Sequence, residues 1–242
     1  MASDKGQGSD YQYPVTHLPD LVPRRALRNN SSGLFLDAEA LERFKIREIC
    51  EGWGVYRDAA EWTEYRSMFF DDAFIVTSWK QGTIDEFIAA SSDGFDKGHS
   101  FMYILHRING HSVDIDPELR RAGCKMKATI TARFTFDGIE MDLDTDCRFY
   151  YFLEKRANRW GVVHFTLLFD KDRFHPVNPS RVYHIPEDEV AGFPPGYKYL
   201  AWAETKIGCP PRLDLDSHGP EKEVLHRKYE QWLEGKSISL RV

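Results

Sequence analysis

Between Lys125 and Tyr151 the chain alternates apolar and polar side chains almost without a break, and no other feature narrows the fold as far. Met126, Ala128, Ile130, Ala132, Phe134 and Phe136 fall on one side, while Lys125, Lys127, Thr129, Thr131, Arg133 and Thr135 fall on the other. A period of two belongs to a strand with one buried face. Asp137-Gly138 supplies the dipeptide of a tight hairpin. On the return, Ile139, Met141, Leu143, Cys147, Phe149 and Tyr151 oppose Glu140, Asp142, Asp144, Asp146, Arg148 and Tyr150. Asn158 marks a second turn before a strand over 160–169. The pattern predicts an antiparallel meander, with Arg148 and its aspartates in a solvent-facing ladder.

The segments before the meander read differently. Asp37 is a plausible N-cap for a helix running to about Tyr56, with Ile46, Ile49, Cys50 and Trp53 on its buried side. Arg47 and Glu51 read as an i,i+4 ion pair on a solvated face, with a polar stripe facing a pocket as the alternative. Asp58-Ala-Ala-Glu61 has the form of a capping box that opens a short helix through Met68. A strand over 73–79 ends on Trp79, and Gln81-Gly82 follows it. Thr83-Ile-Asp-Glu86 is a second capping box, opening a helix with Phe87, Ile88 and Phe95 on its apolar side. A strand over 101–115 carries His106. Helices first, then one strand, one helix and a meander define an α+β fold. A strongly twisted sheet of this kind curls, so helices on its concave side enclose a conical cavity.

The flanks look like arms. Residues 1–36 contain Pro14, Pro19 and Pro23 among Tyr11, Tyr13, Leu18, Leu21 and Val22, which suits a segment laid over a surface. Residues 171–242 are rich in proline, with a short amphipathic helix expected over 221–233. The aromatic stretch 192–202 is read as neither strand nor helix, and the extension either lids a pocket or wraps a partner subunit. The expected organisation is an N-terminal arm (1–36), one α+β domain (37–170) and a C-terminal extension (171–242).

Composition excludes more than it assigns. A net charge of −6, with no basic patch, argues against nucleic acid or an anionic membrane as partner. No run of eighteen apolar residues suggests a membrane span, and the polar start MASDKGQGSD lacks a secretory h-region. Four scattered cysteines suit reduced thiols, so a cytoplasmic location is expected. No His/Cys/Asp set has transition-metal spacing, and neither H-E-x-x-H, G-x-G-x-x-G nor a P-loop occurs.

This order of elements resembles the cone-shaped α+β barrel of the SnoaL-like and nuclear-transport-factor-2-like superfamily. Asp58 closes the first helix and His106 sits in the strand FMYILHRI, where the superfamily's dyad members carry an Asp–His pair. Trp53-x4-Asp58, the segment YRDAAEW, Trp79 and His106 are more narrowly similar to fungal, cofactor-independent gallic acid and protocatechuic acid decarboxylases. The resemblance spans roughly residues 40–170. It implies no organic cofactor, a homotrimer, and a potassium ion near the sheet whose ligands no motif here identifies.

Under that resemblance Asp58 and His106 form the catalytic pair. Decarboxylating a phenolic acid requires a proton delivered to the ring carbon bearing the carboxylate. An imidazole held in one tautomer by a buried carboxylate suits the task, contributing about 10²–10⁴ in rate. Trp53 and Trp79 would clamp the substrate ring, an effect of roughly 1–5 kcal/mol. His164, in GVVHFTLLF, is a candidate for holding a ring hydroxyl or the carboxylate. Each has a plainer reading: Asp58 as a helix cap, the tryptophans as core, the histidines as satisfied strand residues. Two rival functions stand beside decarboxylation: a scytalone dehydratase-like lyase using Asp58 and His106 as base, and a non-catalytic ligand-binding module.

Overall fold

The computed structural model describes residues 37–96, 102–116, 118 and 120–239. The expected arm over 1–36, the strand start at Phe101, and His99 lie outside the described residues. Helix α1 (Asp37–Gly52) passes into a π-helical turn (Trp53–Arg57), then α2 (Trp62–Ser67), β1 (Phe69–Val76), β2 (Gln81–Thr83) and α3 (Ile84–Asp96). The meander follows as β3 (Met102–Ile115), β4 (Arg121–Phe136), β5 (Ile139–Arg156) and β6 (Arg159–Pro176). After the meander the described residues form three helices: α4 (Glu187–Val190), α5 (Lys198–Lys206) and α6 (Glu221–Leu233).

One six-stranded sheet in the order β2-β1-β6-β5-β4-β3 carries the fold. It is curved and unclosed, an α+β cone left open between β2 and β3. The meander pairs as its alternation requires, with Phe136 opposite Ile139 across Asp137-Gly138, both at positive φ. One pairing departs from the antiparallel expectation: β1 lies parallel to β6, with Phe74 beside His164 and Ile75 beside Phe165. A pairing across some ninety residues leaves no local trace in the chain. Gln81 and Gly82, expected to end a strand, instead begin the short hairpin partner of β1. Trp79 therefore sits in the turn between β1 and β2 rather than at a strand end.

The concave face holds the core. Ala122, Cys124, Met126, Ala128, Phe149, Tyr151, Phe165 and Leu167 pack there against Ile46, Cys50 and Trp53. On the convex face, Thr129–Asp146, Thr131–Asp144 and Arg133–Asp142 form the expected polar ladder at 2.7–2.8 Å. Arg148 joins that face through Asp170 (2.9 Å). Farther along, α6 covers the convex side with Tyr229 and Trp232 against Tyr150, Phe152 and Leu168. Tyr229 lies so close over Gly123 that a β-carbon there would meet its ring at 2.3 Å.

The C-terminal extension packs back on its own sheet. Contrary to expectation, the aromatic stretch ends in a regular helix: α5 begins at Lys198, where Asp172 accepts hydrogen bonds from the N–H groups of Tyr199 and Leu200. Its Trp202 joins Phe136, Phe174 and Tyr183 at one end of the concave face. Ser78, next to Trp79, is bound through its Oγ to Glu204 of α5 (2.7 Å), and its carbonyl accepts from the Arg212 N–H (2.8 Å). Among the described residues no helix is long and apolar enough to cross a membrane.

Candidate active site

The site begins where α1 stops being an α-helix. The π-helical turn Trp53–Arg57 widens the coil and ends at Asp58, and the chain restarts through Ala60 in a left-handed conformation (φ 57°). Wide turns inside helices recur at functional sites, because they displace side chains that regular winding would place elsewhere. Gly54 lets this turn sit against β3: a β-carbon there would lie 2.9 Å from the His106 carbonyl oxygen. The helix end and the strand are thereby held in contact at the two residues of interest.

Asp58 meets His106 twice. Its Oδ2 accepts the His106 backbone N–H at 2.6 Å, and its Oδ1 lies 2.6 Å from His106 Nδ1. The two side chains are only 9% and 7% exposed. The capping-box reading of Asp58 is thus overturned: its oxygens go to a strand 48 residues away, and Glu61 caps α2 without a side-chain bond. Arg57, itself buried, places Nη1 3.6 Å from Asp58 Oδ1.

The other expected residues divide. Trp53 is at the centre, with its ring stacked on Phe165 (3.8 Å, 18°) and edge-on to His106 (6.4 Å, 74°). Phe165 already occupies one indole face, so Trp53 does not stand as one of two open walls around a substrate ring. Trp79 is half-buried and reaches the same group through Phe87, which contacts both tryptophans (5.4 and 5.6 Å). His164 is not brought here. Its ring neighbours include Phe74 and Phe152, and Phe152 belongs to the layer beneath α6. A register shift beside Phe152 sets its strand parity, leaving Phe165 on the concave face and His164 on the opposite one. Arg57 and Tyr65 are the members that sequence reasoning passed over. Their one signal was position, adjacent to Asp58 and seven residues beyond it.

Residues 38–166 match the SnoaL-like domain. This chain belongs to the SnoaL-like family. A PEP2-like protein of Fusarium vanettenii is 41% identical to it over 228 residues, covering 90% of this chain and 95% of that protein. Pea pathogenicity protein 2 of the same fungus is 40% identical over 228 residues with the same coverage. Among solved structures, a hexachlorocyclohexane dehydrochlorinase (LinA type 2) matches with a TM-score of 0.48 at 11% identity, covering 62% of this chain and 98% of that one. A protein titled a putative scytalone dehydratase, from Novosphingobium aromaticivorans, matches with 0.46 at 14% identity over 62% and 93%.

Electrostatics in this SnoaL-like site favour a neutral imidazole. Burial lowers the His106 pKa below its ordinary 6.5, Asp58 opposes that, and Arg57 adds to it. A neutral ring with Nδ1–H donating to Asp58 leaves the Nε2 lone pair as a base. Burial also raises the Tyr65 hydroxyl well above its usual range, keeping it a donor. Among the described residues no group of three or more His, Cys, Asp or Glu side chains could hold a metal ion, and the potassium expected from resemblance is assigned no ligands.

Proposed function

We propose that this protein is a lyase in which His106, oriented by Asp58, moves a proton on a planar organic substrate. The doubly bonded, buried Asp58–His106 pair carries this reading. Neutral His106 takes a proton at Nε2, and Asp58 stabilises the imidazolium that results. In an elimination, a C–H bond breaks, its electrons form the double bond, and the departing oxygen takes the proton back from His106. A buried imidazole returns that proton to the substrate rather than to bulk water.

Decarboxylation of hydroxybenzoates, gallate to pyrogallol and protocatechuate to catechol, is the second reading, favoured by the rings crowded around His106. Here His106 accepts the proton of a ring hydroxyl and delivers a proton to the carbon bearing the carboxylate. The C–C bond to the carboxylate then breaks and carbon dioxide leaves. Trp79 is the wall this reading keeps. A homotrimer is the assembly that goes with it, to be checked by light scattering.

Incubation of the purified protein with gallate and protocatechuate, following carbon dioxide and the product spectrum, tests the second reading. Deuterium exchange from solvent into hydroxylated cyclic ketones, followed by proton NMR, tests the first. His106→Ala is expected to lower whichever rate is found by about 10²–10⁴-fold. Full activity in that variant sinks both, and a folded protein that binds these compounds yet turns over none of them favours the binding-module reading.

A further inference from the structure

Two rings beside the Asp58–His106 pair each carry a hydrogen-bond donor with no acceptor among the described residues. Tyr65, on α2, is completely buried, and its hydroxyl finds no partner among the described residues. Trp53 is 2% exposed, and its indole N–H is in the same state. Elsewhere the same core satisfies such groups: Tyr151 donates to the Cys50 carbonyl (3.2 Å), Trp160 to Glu42 (2.5 Å) and Tyr197 to the Arg212 carbonyl (2.7 Å). A buried donor left unpaired destabilises a fold, so two on touching rings call for a reason. The rings meet edge to face, with centroids 5.4 Å apart at 79°. Trp53 is also edge-on to His106.

Charge points the same way. Tyr65 lies within the electrostatic reach of both Arg57 and Asp58. Both Asp58 oxygens are engaged by His106, at 2.6 Å each, and the buried Arg57 guanidinium adds its positive charge with Nη1 3.6 Å from Oδ1. A guanidinium with two neutral donors complements an oxyanion, and two donors match the two oxygens of a carboxylate.

We propose that the Tyr65 hydroxyl and the Trp53 indole N–H, backed by Arg57, hold the carboxylate of a planar organic acid next to His106. This rests on the lyase reading and adds substrate-holding residues and a charge requirement to it. Trp53 acts through its N–H edge, consistent with the burial of its face against Phe165.

Calorimetric titration of the full chain with gallate and with methyl gallate, which keeps the ring and loses the charge, tests the proposal. Wild-type protein is expected to bind gallate at least about tenfold tighter than the ester, as a charged hydrogen bond implies. Tyr65→Phe should weaken gallate by about 10–100-fold and leave the ester within about twofold, erasing the discrimination. Trp53→Phe, which keeps an aromatic ring and loses the donor, should shift affinity in the same direction. Circular dichroism confirms that each variant is folded. Should Tyr65→Phe be unfolded, the gallate-to-ester ratio of Trp53→Phe decides alone. Equal binding of ester and acid by the wild type, unchanged gallate affinity in folded Tyr65→Phe, or no gallate binding at millimolar concentration overturns the proposal. Turnover of an uncharged substrate that depends on His106 would then keep the lyase reading while this one falls.

Discussion

The sheet carries an aromatic cluster on each face, and the two are finished differently. Under α6, Tyr229 donates to Asp114 (3.0 Å) and Trp232 to the Ala122 carbonyl (3.0 Å), so both rings bury their carbon and satisfy their polar atom. On the concave face, Trp53 and Tyr65 are buried as deeply, with their donors unmet among the described residues. The outer cluster is arranged for stability. The inner one gives up stability around a buried carboxylate–imidazole pair, as sites that bind ligands do.

That contrast can be broken by experiment. The largest effect on stability is expected from Trp232→Ala, which removes a ring 5% exposed and should cost about 3–5 kcal/mol in denaturant unfolding, with turnover per folded molecule unchanged. Lost activity without lost stability would mean that the convex layer reaches the site. Next comes a matched pair. Tyr229→Phe leaves Asp114 short of a donor and should cost about 1–3 kcal/mol, whereas Tyr65→Phe removes an unmet hydroxyl and should be neutral or stabilising by up to about 1 kcal/mol. Equal losses would mean that Tyr65 has an acceptor after all.

Two buried groups give opposite pH limbs. His106 has a lowered pKa, so its contribution is complete above about 6.5 and is lost as pH falls from there through the depressed folded value. Glu204 is pushed by burial to about 8, so the stability of its protonated form is complete below the ordinary 4.5 and is lost as pH rises through about 8. Glu204→Gln should flatten the alkaline limb of a melting-temperature profile and leave the acid limb in place. The smallest effect belongs to Arg47→Ala, which breaks an exposed ion pair with Glu51 (2.8 Å) and should change stability by less than about 0.5 kcal/mol.

What the chain disclosed in advance follows the range of the forces involved. The hairpin at Asp137-Gly138, helix α6 and the Thr83–Glu86 capping box, whose reciprocal bonds form at 2.8 and 3.3 Å, depend on near neighbours and were legible. Asp58 carried the same local signature as Thr83, yet a partner 48 residues away claimed its oxygens. The parallel β1–β6 pairing and the register shift that turns His164 away also depend on distant segments. Helix α5 was hidden because its first turn draws on Asp172 rather than on a cap of its own. That Arg57 and Tyr65 lie beside Asp58 became visible only once the wide turn was known.

That turn has a further consequence. Wound as an ordinary α-helix, the same five residues would carry Asp58 roughly a quarter-turn further round the axis. The carboxylate would then point away from its imidazole while every strand kept its place. A change of winding confined to this turn would part the pair and spare the scaffold, so the phase of one short coil, rather than the sheet, sets where the carboxylate stands.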